Sequence, residues 1–206
     1  MAQQESPFSI PAERSQWVRL AAARQDMAER AQAIVSLLKD LNAFRVASVG
    51  VGCGWLEWHL KRLLPTLELT CTDYAPATVE RLRRVFVECD CVDLFDMLTP
   101  HWPPDKDAYL LHCVDTELSD RQWKGVIENM RRSGIQQILM IPSAFLDLRL
   151  FLAVQRRRLK GLVKRGKTTF AGYLRTKDQF RALWSPSYPV VKEIPVGNVT
   201  GFLLHP

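Results

Sequence analysis

Between Arg45 and Ile141 the chain alternates short apolar runs with stretches of helical periodicity, and one turn in that alternation is built largely of glycine. The runs fall at 45–50 (RVASVG), 67–72 (LELTCT), about 87–92 (VECDCV), 107–113 (DAYLLHC) and 135–141 (IQQILMI). Helical spacing fills about 54–64, 76–86 and 119–132, the last opening on Ser119 as N-cap and closing at Gly134. Near-continuous apolar strands separated by helices predict an α/β doubly wound fold, a mainly parallel sheet covered on both faces. The tail changes rhythm: a helix at 176–184, then VVKEI and VTGFLLH joined across Pro195-Val196-Gly197-Asn198. That turn predicts a C-terminal antiparallel hairpin and brings the sheet to seven strands.

Ahead of the first strand, Trp17, Leu20, Ala21, Met27, Ala31, Ile34, Leu37, Leu38 and Leu41 recur three or four apart, as one or two amphipathic helices require. Residues 1–44 therefore read as an irregular arm and an N-terminal helical cover, and 45–206 as the main domain. A length of 206 residues fits one core. The five cysteines at 53, 71, 89, 91 and 113 lack the paired spacings of a zinc site, so no metal is expected and buried reduced thiols are. No apolar run approaches the ~18 residues of a membrane span. The start MAQQESPFSIPAERSQW has no basic region leading into an apolar one, and a cytoplasmic address is expected.

In an open α/β sheet, ligands bind outside the carboxyl ends of the strands. The turn there is Gly50-Val51-Gly52-Cys53-Gly54-Trp55. A dinucleotide fingerprint would need a third small residue at 55, where tryptophan stands. The spacing is G-x-G-x-G, followed 19 residues after Gly54 by Asp73 at the end of the second apolar run. An ionised Asp has two acceptor oxygens and can take both hydroxyls of a ribose.

These residues carry a resemblance. VASVGVGCG and LTCTDYAP resemble the first and second motifs of the class I S-adenosylmethionine-dependent methyltransferases, and the rhythm from Arg45 to Pro206 is similar throughout. The resemblance implies S-adenosyl-L-methionine as cofactor, held by Gly50, Gly52, Gly54, Asp73 and an acidic residue after the third strand. CDCVDLFD offers Asp90 and Asp93 for that place, Asp93 being preferred. Tyr74 either covers the adenine or packs in the core. Ser48 stands where many members have an acid. VDLFDMLTP ahead of DAYLLHCVDTELSD resembles small-molecule O-methyltransferases, yet aligning the S-D dipeptides puts Thr116 at their histidine base and Glu117 at the acid beside it. That base is missing, so their mechanism does not carry over. Gly172 to Asp178 resembles the segment that opens the last helix in such enzymes, with Thr176 as N-cap. Trp17 is a candidate for folding over the acceptor, while the other tryptophans read as packing.

Methyl transfer from a sulfonium is an in-line displacement that chiefly demands alignment, with a base only where the acceptor must lose a proton. His112, Asp115 and Glu117, near the end of the fourth strand, are the candidate catalytic residues, and His112 is also a candidate to line the cofactor. Each has a plainer reading: His112 as a sheet-edge hydrogen-bonding group, Asp115 and Glu117 as solvated or helix-terminal charges.

The 28 Lys and Arg outnumber 22 Asp and Glu, and eleven of the basic residues against two acidic ones lie in 145–181. A basic helical insert at about 144–167 carries an apolar stripe through Leu148, Phe151, Leu152, Leu159, Leu162 and Val163. It reads as a lid, or as a docking surface for an anionic acceptor or an anionic membrane. Nucleic acid is disfavoured, since HCVDTE replaces the N/D-P-P-Y/F motif of base methyltransferases. The expected function is O- or N-methylation of a small molecule. The alternatives are a lipid- or sugar-linked acceptor at a membrane face, and a non-catalytic cofactor-binding or scaffold protein.

Overall fold

The computed structural model describes residues 10–103, 105–146 and 172–206. Most of the basic insert, 147–171, and the arm up to residue 9 lie outside the described residues. Two helices, α1 (Arg14–Ala22) and α2 (Gln25–Asp40), precede β1 (Arg45–Val49). Then come α3 (Trp55–Leu63), β2 (Glu68–Asp73), α4 (Pro76–Val85), β3 (Cys91–Leu94), β4 (Ala108–His112), α5 (Asp120–Arg132) and β5 (Ile138–Ile141). The chain closes with α6 (Lys177–Trp184), β6 (Val190–Val196) and β7 (Val199–His205).

The seven strands form one sheet in the order β3-β2-β1-β4-β5-β7-β6. All neighbours are parallel except β7, which runs antiparallel to both β5 and β6. The sequence turns outward from β1 through β2 to β3 and then returns to β4, so β1 and β4 lie side at side where the order reverses. Such a switch point opens a crevice at the carboxyl ends of the strands.

Alternation along the strands divides the core. Val46, Leu110 and Leu139 join Trp17, Ile34, Leu38, Leu56, Leu60, Leu82 and Phe86 from α1 to α4 and its end. Ala47, Leu111 and Met140 face the other way onto Trp123, Ile127 and Met130 of α5 and Phe180 and Trp184 of α6. The side chains point to opposite faces at period two, which is why these strands are apolar almost without a break.

Local signals hold where they are strong. Ser119 and Gln122 complete a capping box on α5, and Thr176 and Gln179 another on α6. The cover divides into two helices at Ala23 and Arg24. Pro195 sits on β6, an edge strand, where its missing N–H is tolerated. The third strand differs from expectation: 87–90 form a turn with Val87 exposed, and pairing begins only at Cys91 opposite Thr70. The thiols differ too. Cys53 and Cys71 are buried, whereas Cys91 is exposed. Among the described residues no helix is long and apolar enough to cross a membrane.

Candidate cofactor cleft

The turn after β1 puts Gly50, Gly52 and Gly54 all in the left-handed region, at φ 73°, 55° and 69°. Two of them explain the pattern. A Cβ on Gly50 would lie 2.5 Å from Val114 Cγ1, so the loop can tuck under the segment after β4 only without a side chain. A Cβ on Gly52 would meet nothing within 4 Å, which leaves that apex open to an approaching ligand. The loop is anchored behind by backbone bonds from Gly50 and Val51 N–H to the Thr72 carbonyl, at 2.8 and 3.1 Å.

Asp73 ends β2 directly opposite. Its Oδ2 accepts the Gly52 N–H at 3.0 Å and its Oδ1 the Ala75 N–H at 2.9 Å. Both oxygens are thus oriented by backbone donors, and each keeps a lone pair. The carboxylate is only 6% exposed and pairs with no cation among the described ion pairs. Tyr74, the next residue, is 60% exposed at the rim instead of packed in the core. Burial, and then the field of Glu117, push its hydroxyl above the ordinary tyrosine value.

Of the two acids near β3, Asp90 is committed to structure. Its Oδ2 accepts Lys61 Nζ and the Leu69 N–H, both at 2.8 Å, and so ties α3 to the start of β2. Asp93 pairs with Thr72 in the sheet and makes an exposed ion pair with Arg83 at 2.9 Å. Trp17 does not face an acceptor. It is fully buried, donates to the Cys53 carbonyl at 2.8 Å and packs on Trp58 and Phe86, so it props the glycine loop from beneath.

Ser48 reveals a residue that motif spacing does not mark. Its hydroxyl donates at 2.7 Å to Oε1 of Glu57, a carboxyl on α3 that is only 2% exposed. Burial lifts Glu57 to about 7 against the Ser48 bond that lowers it. An acid thus does lie beside the end of β1, contributed from the following helix. The only sequence signal was a glutamate on a helix whose neighbours Leu56, Trp58 and Leu60 are all buried.

At the end of β4 the three catalytic candidates part company. His112 Nε2 lies 2.8 Å from an Arg30 Nη1, so the guanidinium donates and the imidazole proton sits on Nδ1. Burial first, and Arg30 second, bring His112 down to about 4. Cys113 follows at φ 58°, a left-handed conformation costly for a residue with a Cβ. Asp115 is buried, and its Oδ1 accepts the backbone N–H and hydroxyl of Ser143 at 2.7 and 2.8 Å. Burial raises its pKa while those bonds oppose the rise. Its carboxyl joins the loops after β4 and β5. Glu117 is exposed. The structure therefore brings the three glycines, Asp73 and Tyr74 together at one end of the sheet, with Glu117 exposed on the loop after β4, His112 beside Arg30 and Asp115 turned to Ser143.

Arg175 completes the rim. It is buried, and its guanidinium donates to the carbonyls of Asp115 and Leu118 at 2.6 and 2.7 Å and to Asp120 Oδ1 at 2.7 Å. Gly172, at φ 78°, approaches Thr116 so closely that a Cβ would lie 2.6 Å from the Thr116 Cβ. The chain re-entering from the insert is thereby clamped onto the loop after β4.

This sheet order with its antiparallel β7, and a glycine loop facing a strand-end acid, define the fold of the class I S-adenosylmethionine-dependent methyltransferases. Among solved structures the chain is similar to human N-acetylserotonin methyltransferase in complex with its methyl donor. That match has TM-score 0.66 and 19% identity, covering 100% of this chain and 60% of the other. It is also similar to the mitomycin 7-O-methyltransferase, with TM-score 0.62 and 17% identity over 92% of this chain and 60% of that one. A third is the N,N-8-amino-8-demethyl-D-riboflavin dimethyltransferase of Streptomyces davawensis, with TM-score 0.58 and 18% identity over 85% and 53%. The chain thus spans between about half and three fifths of these proteins' lengths. No protein-family profile and no curated protein sequence matches the chain.

Proposed function

We propose that this chain is an S-adenosylmethionine-dependent methyltransferase that methylates oxygen or nitrogen of a small-molecule acceptor. The observation that carries the reading is the Asp73 carboxylate, oriented by Gly52 and Ala75 N–H groups beside an open left-handed glycine. Its two remaining lone pairs suit a vicinal diol, and its charge opposes a phosphate at the same place. When bound, the cofactor supplies an electrophilic methyl group on a sulfonium. Gly50, Gly52 and Gly54 let the backbone close around the amino-acid end, Tyr74 covers the adenine from the rim, and Asp93 is assigned to the adenine amino group. His112 lines the crevice at the end of β4.

The chain's part in the chemistry is alignment and exclusion of water. His112 gives its Nε2 lone pair to Arg30, and Asp115 holds the β5 loop through Ser143, so we assign both to positioning. Glu117, exposed on the loop after β4, is assigned to take the acceptor's proton where one must leave. All three similar enzymes bear the names of small-molecule methyltransferases, and two of those names place the methyl group on oxygen or nitrogen, which supports the acceptor class.

Titration calorimetry with S-adenosylhomocysteine tests the reading, with an NAD titration beside it. Saturable binding of the former alone is expected. No heat at millimolar S-adenosylhomocysteine contradicts the assignment.

A further inference from the structure

A cation near the end of β4 has no ion-pair partner among the described residues. Arg30, on the second turn of α2, is half-buried, and no ion pair among the described residues includes it. Its Nη1 meets a neutral imidazole at 2.8 Å and the Cys113 thiol at 3.9 Å, while its Nε is buried with no hydrogen-bond partner. The carboxylate whose field reaches it, Asp26, is occupied elsewhere: Arg24 holds both of its oxygens, at 2.9 and 2.8 Å. A guanidinium with a buried donor left unpaired is costly unless an acceptor completes it.

The surroundings fix where that anion would sit. The β6–β7 turn backs the arginine, since a Cβ on Gly197 would lie 3.3 Å from Arg30 Cγ. On the other side Arg24 covers the Trp55 ring at 4.7 Å, and the Trp55 indole N–H is likewise buried without a partner. Unmet groups here are donors. The place lies at the tip of β4, one strand over from the glycine loop and beside the β6–β7 turn.

We propose that Arg30 anchors a carboxylate of the methyl acceptor, seated between α2, the end of β4 and the β6–β7 turn. This rests on the methyltransferase reading for the word acceptor; the anion site itself stands on the geometry. A planar guanidinium matches a carboxylate through two parallel N–H bonds, which a lysine cannot reproduce.

The test uses the whole chain, saturated with S-adenosylhomocysteine, and benzoate with benzamide as probes. The arginine Nε–H region of a nitrogen–proton correlation spectrum reports on Arg30 directly, its signal identified by its loss in Arg30→Lys. Benzoate is expected to shift that signal saturably and benzamide to leave it still. Calorimetry should find benzoate bound roughly ten-fold or more weakly by Arg30→Gln, with Arg30→Lys in between. S-Adenosylhomocysteine affinity should stay the same in both variants, which also reports that they are folded. Benzoate that neither shifts the signal nor distinguishes the variants overturns the proposal. So does a loss confined to S-adenosylhomocysteine, which would assign Arg30 to the cofactor's own carboxylate. Failure of the methyltransferase reading appears separately, as wild-type protein that ignores S-adenosylhomocysteine yet still binds benzoate through Arg30.

Discussion

Two buried titratable groups carry opposite pH signatures. Glu57 rises from an ordinary 4.5 to about 7, so its neutral form stabilises the fold fully below pH 4.5, and that contribution is lost as pH climbs to about 7. His112 falls from 6.5 to about 4, so its contribution is complete above pH 6.5 and lost as pH falls to about 4. Each shift corresponds to roughly 3 kcal/mol. Between them the slopes oppose. Glu57→Gln should leave stability rising with pH through that window, and His112→Asn should leave it falling, by urea denaturation at stepped pH. Slopes that neither variant alters would contradict the burial described for both. Gly50→Ala combines a left-handed φ of 73° with a 2.5 Å contact to Val114, and should cost more than the ~1 kcal/mol of an ordinary glycine replacement.

Elements transmit support to the crevice. α1 reaches the glycine loop through Trp17, fully buried and bonded to the Cys53 carbonyl. Trp17→Ala should lower stability by about 3–5 kcal/mol, the range for a buried aromatic, seen as a lower urea midpoint. Arg175→Met removes two contacts to the loop after β4 and one to the first residue of α5, and should speed proteolysis of that loop before global unfolding. Equal cleavage of the two proteins would show that the loop holds without the clamp. The caps at Ser119 and Thr176, the glycine loop and Asp73 were legible in the sequence because their partners lie within a few residues or one strand away. The start of β3 was not, since VECDCV is strand-like throughout and only the register against Thr70 decides where pairing begins. Glu57, Arg30 and Arg175 were illegible for a stronger reason. Their meaning depends on which helix face or returning segment meets which strand end or loop, and sequence spacing does not state that.

At the scale of the molecule, one topological fact organises the rest: β1 and β4 are neighbours where the strand order reverses, and both loops that follow them meet at Gly50 and Val114. Cover, sheet and hairpin converge there, α2 supplying Arg30 and the β6–β7 turn backing it. A ligand bound only by the folded chain should therefore stabilise the whole; S-adenosylhomocysteine at 100 times its Kd should add about 2.7 kcal/mol and raise Tm by several degrees. The most direct test of the central claim is calorimetry of S-adenosylhomocysteine with wild type and Asp73→Ala. Loss of about 1.5–3 kcal/mol of binding free energy in the variant is expected, the scale of hydrogen bonds to a charged group. Unchanged affinity would contradict the account, because the ribose would then be held elsewhere.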